Sequence, residues 1–372
     1  MGLFDRYLAG QLLIYFGFFS LVLVAVYWVN RAIGLFDRLI AGGSNLSTFL
    51  EFSILALPNV IYAVLPVSAL VATLYGVNRL TADSEMVVAQ TTGLSPWQLA
   101  RPVAVFGLLV GLMMSVLVHA LVPLSRTALA ERSEDVARDI TTRFLLEGEF
   151  LHPADGVTVY VREITETGEL LGLFLQDGRS EDVVTTYTAE RALLVREPGG
   201  TGLVMFRGMA QTMKMPERSL ITTSFQDFAY DLAALTGEDD ARLRDPRELP
   251  TATLLRADAV AQAVTGDDRA KILFEGHARF SEPMFAAAVP LLALGFLMLG
   301  GYSRMGLWRQ ILAAAMAAVT LEMLANVAED TARGDAGLWW TTYLPPLATL
   351  GLGLGLIWRE ARRPPRLGAV PA

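Results

Sequence analysis

Leu12-Leu13-Ile14-Tyr15-Phe16-Gly17-Phe18-Phe19-Ser20-Leu21-Val22-Leu23-Val24-Ala25-Val26-Tyr27-Trp28-Val29 contains no charged side chain. As a helix rising 1.5 Å per residue it reaches about 27 Å, close to the roughly 30 Å hydrocarbon core of a bilayer. Only Arg6 precedes it among basic residues and no small-residue cleavage site closes it, so the run is expected to be retained as a first membrane span. Comparable runs follow at Phe52 to Val77, Val103 to Leu124, Pro283 to Gly301, Leu307 to Val327 and Leu338 to Trp358. The expected fold class is therefore an α-helical polytopic membrane protein with six spans, three on each side of a polar insert. Trp28, Trp308, Trp339, Trp340 and Trp358 stand at run edges, where an amphipathic ring anchors at headgroup depth, and Trp97 stands a few residues outside one.

Composition agrees with that class. Of 372 residues, 53% are hydrophobic and only 18% charged, against about a quarter in soluble domains; the mean hydropathy is +0.42. The net charge of -8 is concentrated between Ser125 and Phe280, which hold 18 Lys and Arg against 27 Asp and Glu. A surface that acidic is unsuited to nucleic acid. With no cysteine there is no disulfide, thiolate metal site or thiol nucleophile.

Basic residues in short loops and span flanks set orientation. One side carries Arg6, Arg79, Arg101, Arg304, Arg309, Arg359, Arg362, Arg363 and Arg366; the other carries Arg31, Arg38 and Arg333. That asymmetry puts both termini in the cytoplasm and the insert outside, in the periplasm of a Gram-negative cell. The expected division is residues 1–124, residues 125–280 outside the membrane, and residues 281–372.

Within the insert, Ser125 to Phe144 reads as a polar helix. The period then changes to two, with Val157, Val159 and Val161 alternating against Thr158, Tyr160 and Arg162. Leu170 to Leu175, Val183 to Val195, Leu203 to Met215 and Ser219 to Leu232 read similarly, with turn signals at Asp177-Gly178 and Pro198-Gly199-Gly200. An antiparallel sandwich or jelly roll is expected over about residues 150–232. His152 has no acid or second histidine near it in sequence. Thr236 to Asp268, including Asp245-Pro246-Arg247-Glu248-Leu249-Pro250-Thr251, reads as a solvated, acidic connector to which no chemistry is assigned.

The loop between the second and third runs, residues 78–101, is the most informative. It contains Arg79-Leu80-Thr81-Ala82-Asp83-Ser84-Glu85-Met86-Val87-Val88 and then Gly93-Leu94-Ser95-Pro96-Trp97-Gln98. Gly93 is placed as a helix stop, and Ser95, Pro96 and Gln98 form a capping box with proline in the first turn. A short amphipathic helix, a turn and the third span are expected. Met86, Val87 and Val88 are too apolar for an idle loop, and Asp83 with Glu85 offers carboxylates to a basic partner. The plainer alternative is a helix resting on lipid. A phosphate-binding loop needs Gly-Lys-Ser/Thr, and neither lysine, Lys214 nor Lys271, has that setting, so any ATP hydrolysis must come from another polypeptide.

With three spans, a β insert and three spans, the opening Asp5-Arg6-Tyr7-Leu8, the loop just quoted and the strand Thr158-Val159-Tyr160-Val161-Arg162, the chain resembles the LptF/LptG permeases over essentially its whole length. Its loop and strand look closer to LptF. The resemblance implies a subunit that is not itself an enzyme and binds no cofactor, ATP and Mg being held by its partner. That partner set is an LptG-like permease, two LptB-like ATPase subunits, and LptC-like and LptA-like periplasmic proteins. The cargo is lipopolysaccharide, extracted from the outer leaflet of the inner membrane. The resemblance further implies that the loop helix is a coupling helix seated in the ATPase, with Glu85 as its main polar contact. It makes the β domain a jelly roll that receives lipid or docks a partner, and has the first and fifth spans line the cavity.

Arg31 and Arg38, just beyond the outer end of the first span, lie where lipid A phosphates would sit, and the planar guanidinium suits phosphate. Either can instead snorkel, or pair with Asp37. Glu322 and Asn326, a turn apart in the fifth run, are expected to pack within the bundle, and His119 to be a hydrogen-bonded structural residue. Pro58 and Pro66 are expected to shape the second span, and Gly351, Gly353 and Gly355 to let the sixth approach a neighbour. A secondary transporter, distinguished by ion dependence, and a mechanotransmission permease, distinguished by having four spans, remain as other readings.

Overall fold

The computed structural model describes residues 2–41, 46–143, 148–154, 156–165, 169–180, 183–197, 200–215, 219–231, 243–300 and 307–362. The chain forms two compact units. Residues 1–130 and 244–372 cluster as a helical unit, and residues 131–243 as a sheet unit. Residues 244–268 thus belong with the helices rather than with the strands that precede them.

In the helical unit the apolar runs fold as α1 (Leu3–Ala41), α2 (Leu46–Ala82), the short α3 (Glu85–Thr91) and α4 (Pro96–Val116). A π-helical turn at Leu117–Leu121 leads into α5 (Val122–Arg143). After the sheet come a 3-10 turn (Pro246–Glu248), α6 (Thr251–Arg256), α7 (Ala259–Thr265), α8 (Arg269–Met298), α9 (Trp308–Gly334), a 3-10 segment (Ala336–Tyr343) and α10 (Leu344–Ala361). Among the described residues five helices are long and apolar enough to cross a membrane. The chain is a membrane protein.

The last expected run, Leu338 to Trp358, is divided between the 3-10 segment and the 18-residue α10. Pro345 and Pro346 lack backbone donors, so an α-helix restarts there instead of running through. The 3-10 segment is held by Trp339, which stacks on His277 of α8 at 4.2 Å, and by Tyr343, whose hydroxyl lies 3.0 Å from His277 Nδ1.

α8 is the hub. Of its most apolar window 67% is buried, against 11% for α1 and 22% for α9. Small residues permit this. A Cβ on Gly107 would meet the Ala287 carbonyl oxygen at 2.4 Å, and one on Gly111 the Ala287 Cβ at 2.9 Å, so α4 and α8 pack backbone to backbone. On the other side of α8, a Cβ on Gly353 would meet Leu292 N at 2.8 Å and one on Gly295 the Gly353 carbonyl oxygen at 2.9 Å. Gly353 is therefore the packing glycine of its trio; Gly351 and Gly355 have nothing within 4 Å.

The sheet unit is one antiparallel sheet in the order β1 (Phe150–Ala154), β2 (Val157–Ile164), β3 (Leu170–Ser180), β4 (Val183–Glu197), β5 (Gly200–Lys214), β6 (Ser219–Asp231). A jelly roll would show Greek-key crossings, whereas these strands pair in chain order as a meander. Val157, Val159, Val161, Leu173, Leu175, Ala189, Ala192 and Met205 are buried together. The valine alternation read from sequence thus does mark the core face. Asp177-Gly178 is not a turn. β3 continues through it, with Asp177 paired to Val157 and Thr185, and Gly178 N donating to Gly156 O at 2.8 Å.

Candidate functional site

The loop between α2 and α4 is built by local chemistry at each end. α2 closes with Asp83 N donating to Arg79 O at 2.9 Å, and Ser84 adopts φ 65°, a left-handed conformation that turns the chain before α3. α3 ends at Gly93, φ 90°, with Leu94 N donating to Ala89 O at 3.2 Å. Gln98 N then donates to Ser95 Oγ at 3.3 Å and Ser95 N to Gln98 Oε1 at 2.7 Å, the capping box expected from the sequence. Gly93 was legible as a stop; nothing in a serine announces the reversal at position 84.

Packing decides which face of α3 is presented. Met86 is 6% exposed and joins Leu8, Leu80 and Leu99 in the main core, as does Ala89. Met86 therefore seats the helix rather than offering a contact. Val88 is 58% exposed, Asp83 is exposed and Glu85 half-buried; the Val87 side chain lies outside the described residues. Tyr7 of α1 donates its hydroxyl to Glu85 Oε1 at 3.2 Å. The Arg79–Asp83 pair, 3.7 Å apart and more than half exposed on both sides, adds little. Tyr7 is the contributor that reading the loop alone missed, because it comes from the other end of a 78-residue separation.

The membrane-facing residues divide differently from expectation. Arg31 is exposed on α1. Arg38 falls in the last turns of α1, and its side chain lies outside the described residues. Glu322 and Asn326 are exposed on α9 instead of packed within this chain's bundle. His119 is structural, its Nδ1 2.9 Å from Ser115 O and its ring edge-on to Phe280 at 5.0 Å.

A second polar cluster was not read from the sequence. The buried Arg279 of α8 donates from Nη1 to Thr251 Oγ1 at 2.9 Å and from Nη2 to Arg247 O at 3.1 Å. Arg247 Nε in turn donates to Glu275 Oε2 at 3.2 Å, and burial, which alone would lower its pKa, is outweighed by that carboxylate. Arg126 of α5 donates to both Asn59 and Asp245. The signal was available in Asp245-Pro246-Arg247-Glu248, a capping box with proline in its first turn, which is more structure than a solvated connector needs.

Residues 6–359 match the family model described as Lipopolysaccharide export system permease LptF/LptG. The chain belongs to the LptF/LptG family. A protein of Rickettsia prowazekii (strain Madrid E), described as uncharacterized, is 21% identical over 339 residues, covering 90% of this chain and 92% of that protein. The matched range takes in the Tyr7–Glu85 tie, the capped loop and the sheet. In an LptF/LptG permease for lipopolysaccharide export the outer faces of α1 and α9 are chemically notable. Phe18, Leu21, Val26 and Ile33 are exposed on α1, and Met316, Val319, Met323 and Val327 on α9. Such faces meet either lipid or another apolar chain.

Proposed function

We propose that this chain is the LptF-type permease subunit of an ABC transporter that extracts lipopolysaccharide from the inner membrane and passes it to a periplasmic bridge. In this reading six segments span the membrane, the divided last run included, with both termini cytoplasmic and the sheet unit periplasmic. An LptG-like permease covers the free faces of α1 and α9. Two LptB-like subunits supply ATP hydrolysis, and LptC-like and LptA-like proteins receive the lipid. α3 is the coupling helix. Val88, Asp83 and Glu85 face the ATPase, with Val87 beside them, while Met86 and Tyr7 fix the helix on its own permease. Arg31, with Arg38 further along the same helix, meets lipid A phosphates.

The observation that carries the reading is α3 itself, a seven-residue helix closed by Gly93, with Met86 and Ala89 rooted in the core, Val88 exposed, and the carboxylates of Glu85 and of Asp83 just before it on offer. A helix resting on lipid carries Lys and Arg on its polar face, whereas Glu85 and the neighbouring Asp83 are acidic. Native mass spectrometry of the complex taken gently from its own membrane tests the assignment. A mass fitting this chain, a second permease, two ATPase copies and a lipid A species is the expected result. Recovery alone or as a homo-oligomer, without ATPase or glycolipid, would favour a secondary transporter.

A further inference from the structure

We infer that Arg126 is a positioning residue for transport, the joint through which α2 delivers movement of the coupling helix to the places where the chain leaves for, and returns from, the sheet unit. This rests on the coupling role proposed for α3. α2 has the geometry of a connecting rod. Its last residue, Ala82, is followed within three residues by α3, and the helix is continuous from there back to Asn59. At 1.5 Å per residue that stretch spans about 35 Å, slightly more than one hydrocarbon thickness.

At its far end Asn59 Oδ1 accepts a hydrogen bond from Arg126 Nη2 at 2.9 Å. Arg126 lies on α5, four residues before the helical unit gives way to the sheet unit at residue 130. The same guanidinium donates through Nη1 to Asp245 Oδ2 at 3.0 Å. Asp245 is the second residue after the chain re-enters the helical unit at Arg244. One side chain therefore ties the outgoing and returning segments to each other and both to α2, and all three residues belong to the helical unit.

The returning segment is stiff where Arg126 grips it. Asp245 Oδ1 accepts from Arg247 N at 2.9 Å, Arg247 pairs with Glu275, and Arg279 holds Thr251 and the Arg247 carbonyl. Those bonds fix residues 245–251 to α8; Arg126 adds the connection to α2. Arginine suits the position because its planar fork serves two acceptors in different directions at once, which a lysine ammonium on a flexible stem does not hold in fixed geometry. Its side chain is 23% exposed, so the pair with Asp245 is partly shielded from solvent.

The test uses the full complex in proteoliposomes loaded with lipopolysaccharide, measuring ATP hydrolysis and lipid release side by side for the parent, Arg126→Lys, Asn59→Leu and Asn59→Asp. Arg126→Lys and Asn59→Leu are expected to keep parental hydrolysis and bound ATPase while release falls roughly tenfold, the factor associated with one charge-assisted hydrogen bond. Asn59→Asp, which keeps an acceptor for Arg126, is expected to release lipid as the parent does. Parental release by both Arg126→Lys and Asn59→Leu overturns the joint. Hydrolysis falling in step with release, or ATPase lost from the purified complex, also overturns it, because the contact would then be structural alone. A parent complex with no ATP-driven release defeats the export reading itself and is seen before any variant is compared.

Discussion

Gly107 shows how much one hydrogen atom decides in a membrane bundle. Lipid is as apolar as a protein core, so helix association depends on how closely backbones approach, and Gly107 sits against the Ala287 carbonyl with no room for a methyl group. Gly107→Val is expected to cost about 1–3 kcal/mol by overpacking, read as a lower Tm in detergent. Gly351→Val, with open space around it, is expected to leave Tm unchanged. In the sheet, Asp177 accepts from Arg179 at 2.8 Å and from the Tyr230 hydroxyl at 2.9 Å. The bonds from Arg179, opposed by burial and aided by Tyr230, hold its pKa at about 2, below the ordinary 3.8. A depressed carboxyl pKa stabilises the folded state above the unfolded value and loses that contribution as pH falls through the folded one. Parent stability should therefore fall between about pH 4 and pH 2 through this group, and Asp177→Asn should flatten that part of a Tm-against-pH curve.

Among elements, α3 and the cap of α4 that follows it carry the testable chemistry. Ser95→Ala removes the acceptor for Gln98 N and is expected to cost about 1 kcal/mol, detectable as faster amide exchange in the first turn of α4. Glu85→Ala should weaken ATPase retention or uncouple hydrolysis from lipid release, and undiminished transport with a full complement of ATPase would remove Glu85 from the site. Because Tyr7 also holds Glu85, Tyr7→Phe should reduce coupling in the same direction but by less. The β elements show what period-two patterning conveys. It located the strands and their buried face, since a strand's alternation is local. It misplaced the turn at Asp177-Gly178, because whether a glycine ends a strand depends on the partner strand alongside. Here Gly178 N bonds Gly156 O and Ser180 pairs with Val183 beyond it, so the strand runs on through a bulge.

For the whole molecule, the absence of native cysteine permits topology mapping with single introduced cysteines. A membrane-impermeant thiol reagent applied from the periplasmic side should label Ser224→Cys on β6 and leave Ala361→Cys, at the end of α10, unlabelled until the membrane is opened. Labelling of both from one side would mean an even number of crossings between them and defeat the six-span arrangement. The free faces of α1 and α9 make a related demand, since Glu322 and Asn326 are exposed there in the single chain. An ionisable group at membrane depth is costly unless it faces a cavity or a partner.

Composition and periodicity were by themselves enough to establish that the chain crosses a membrane, that a sheet interrupts the crossings, and that a short helix stopped at Gly93 precedes the capped start of the third span. These are properties of single segments, set by apolar length, by the alternation of side chains and by caps three residues wide. Tertiary structure alone decided that Met86 points inward, that Glu322 points outward, that Gly107 and Gly353 rather than Gly351 carry the packing, and that Tyr7 reaches Glu85. It also decided that Arg126 and Arg279 turn an acidic connector into a clamp. In a soluble helix a polar face would have announced such choices. In a span both the lipid face and the protein face are apolar, so no amphipathic period marks the inside, and pairs as distant as Asn59, Arg126 and Asp245 meet only once the helices have packed.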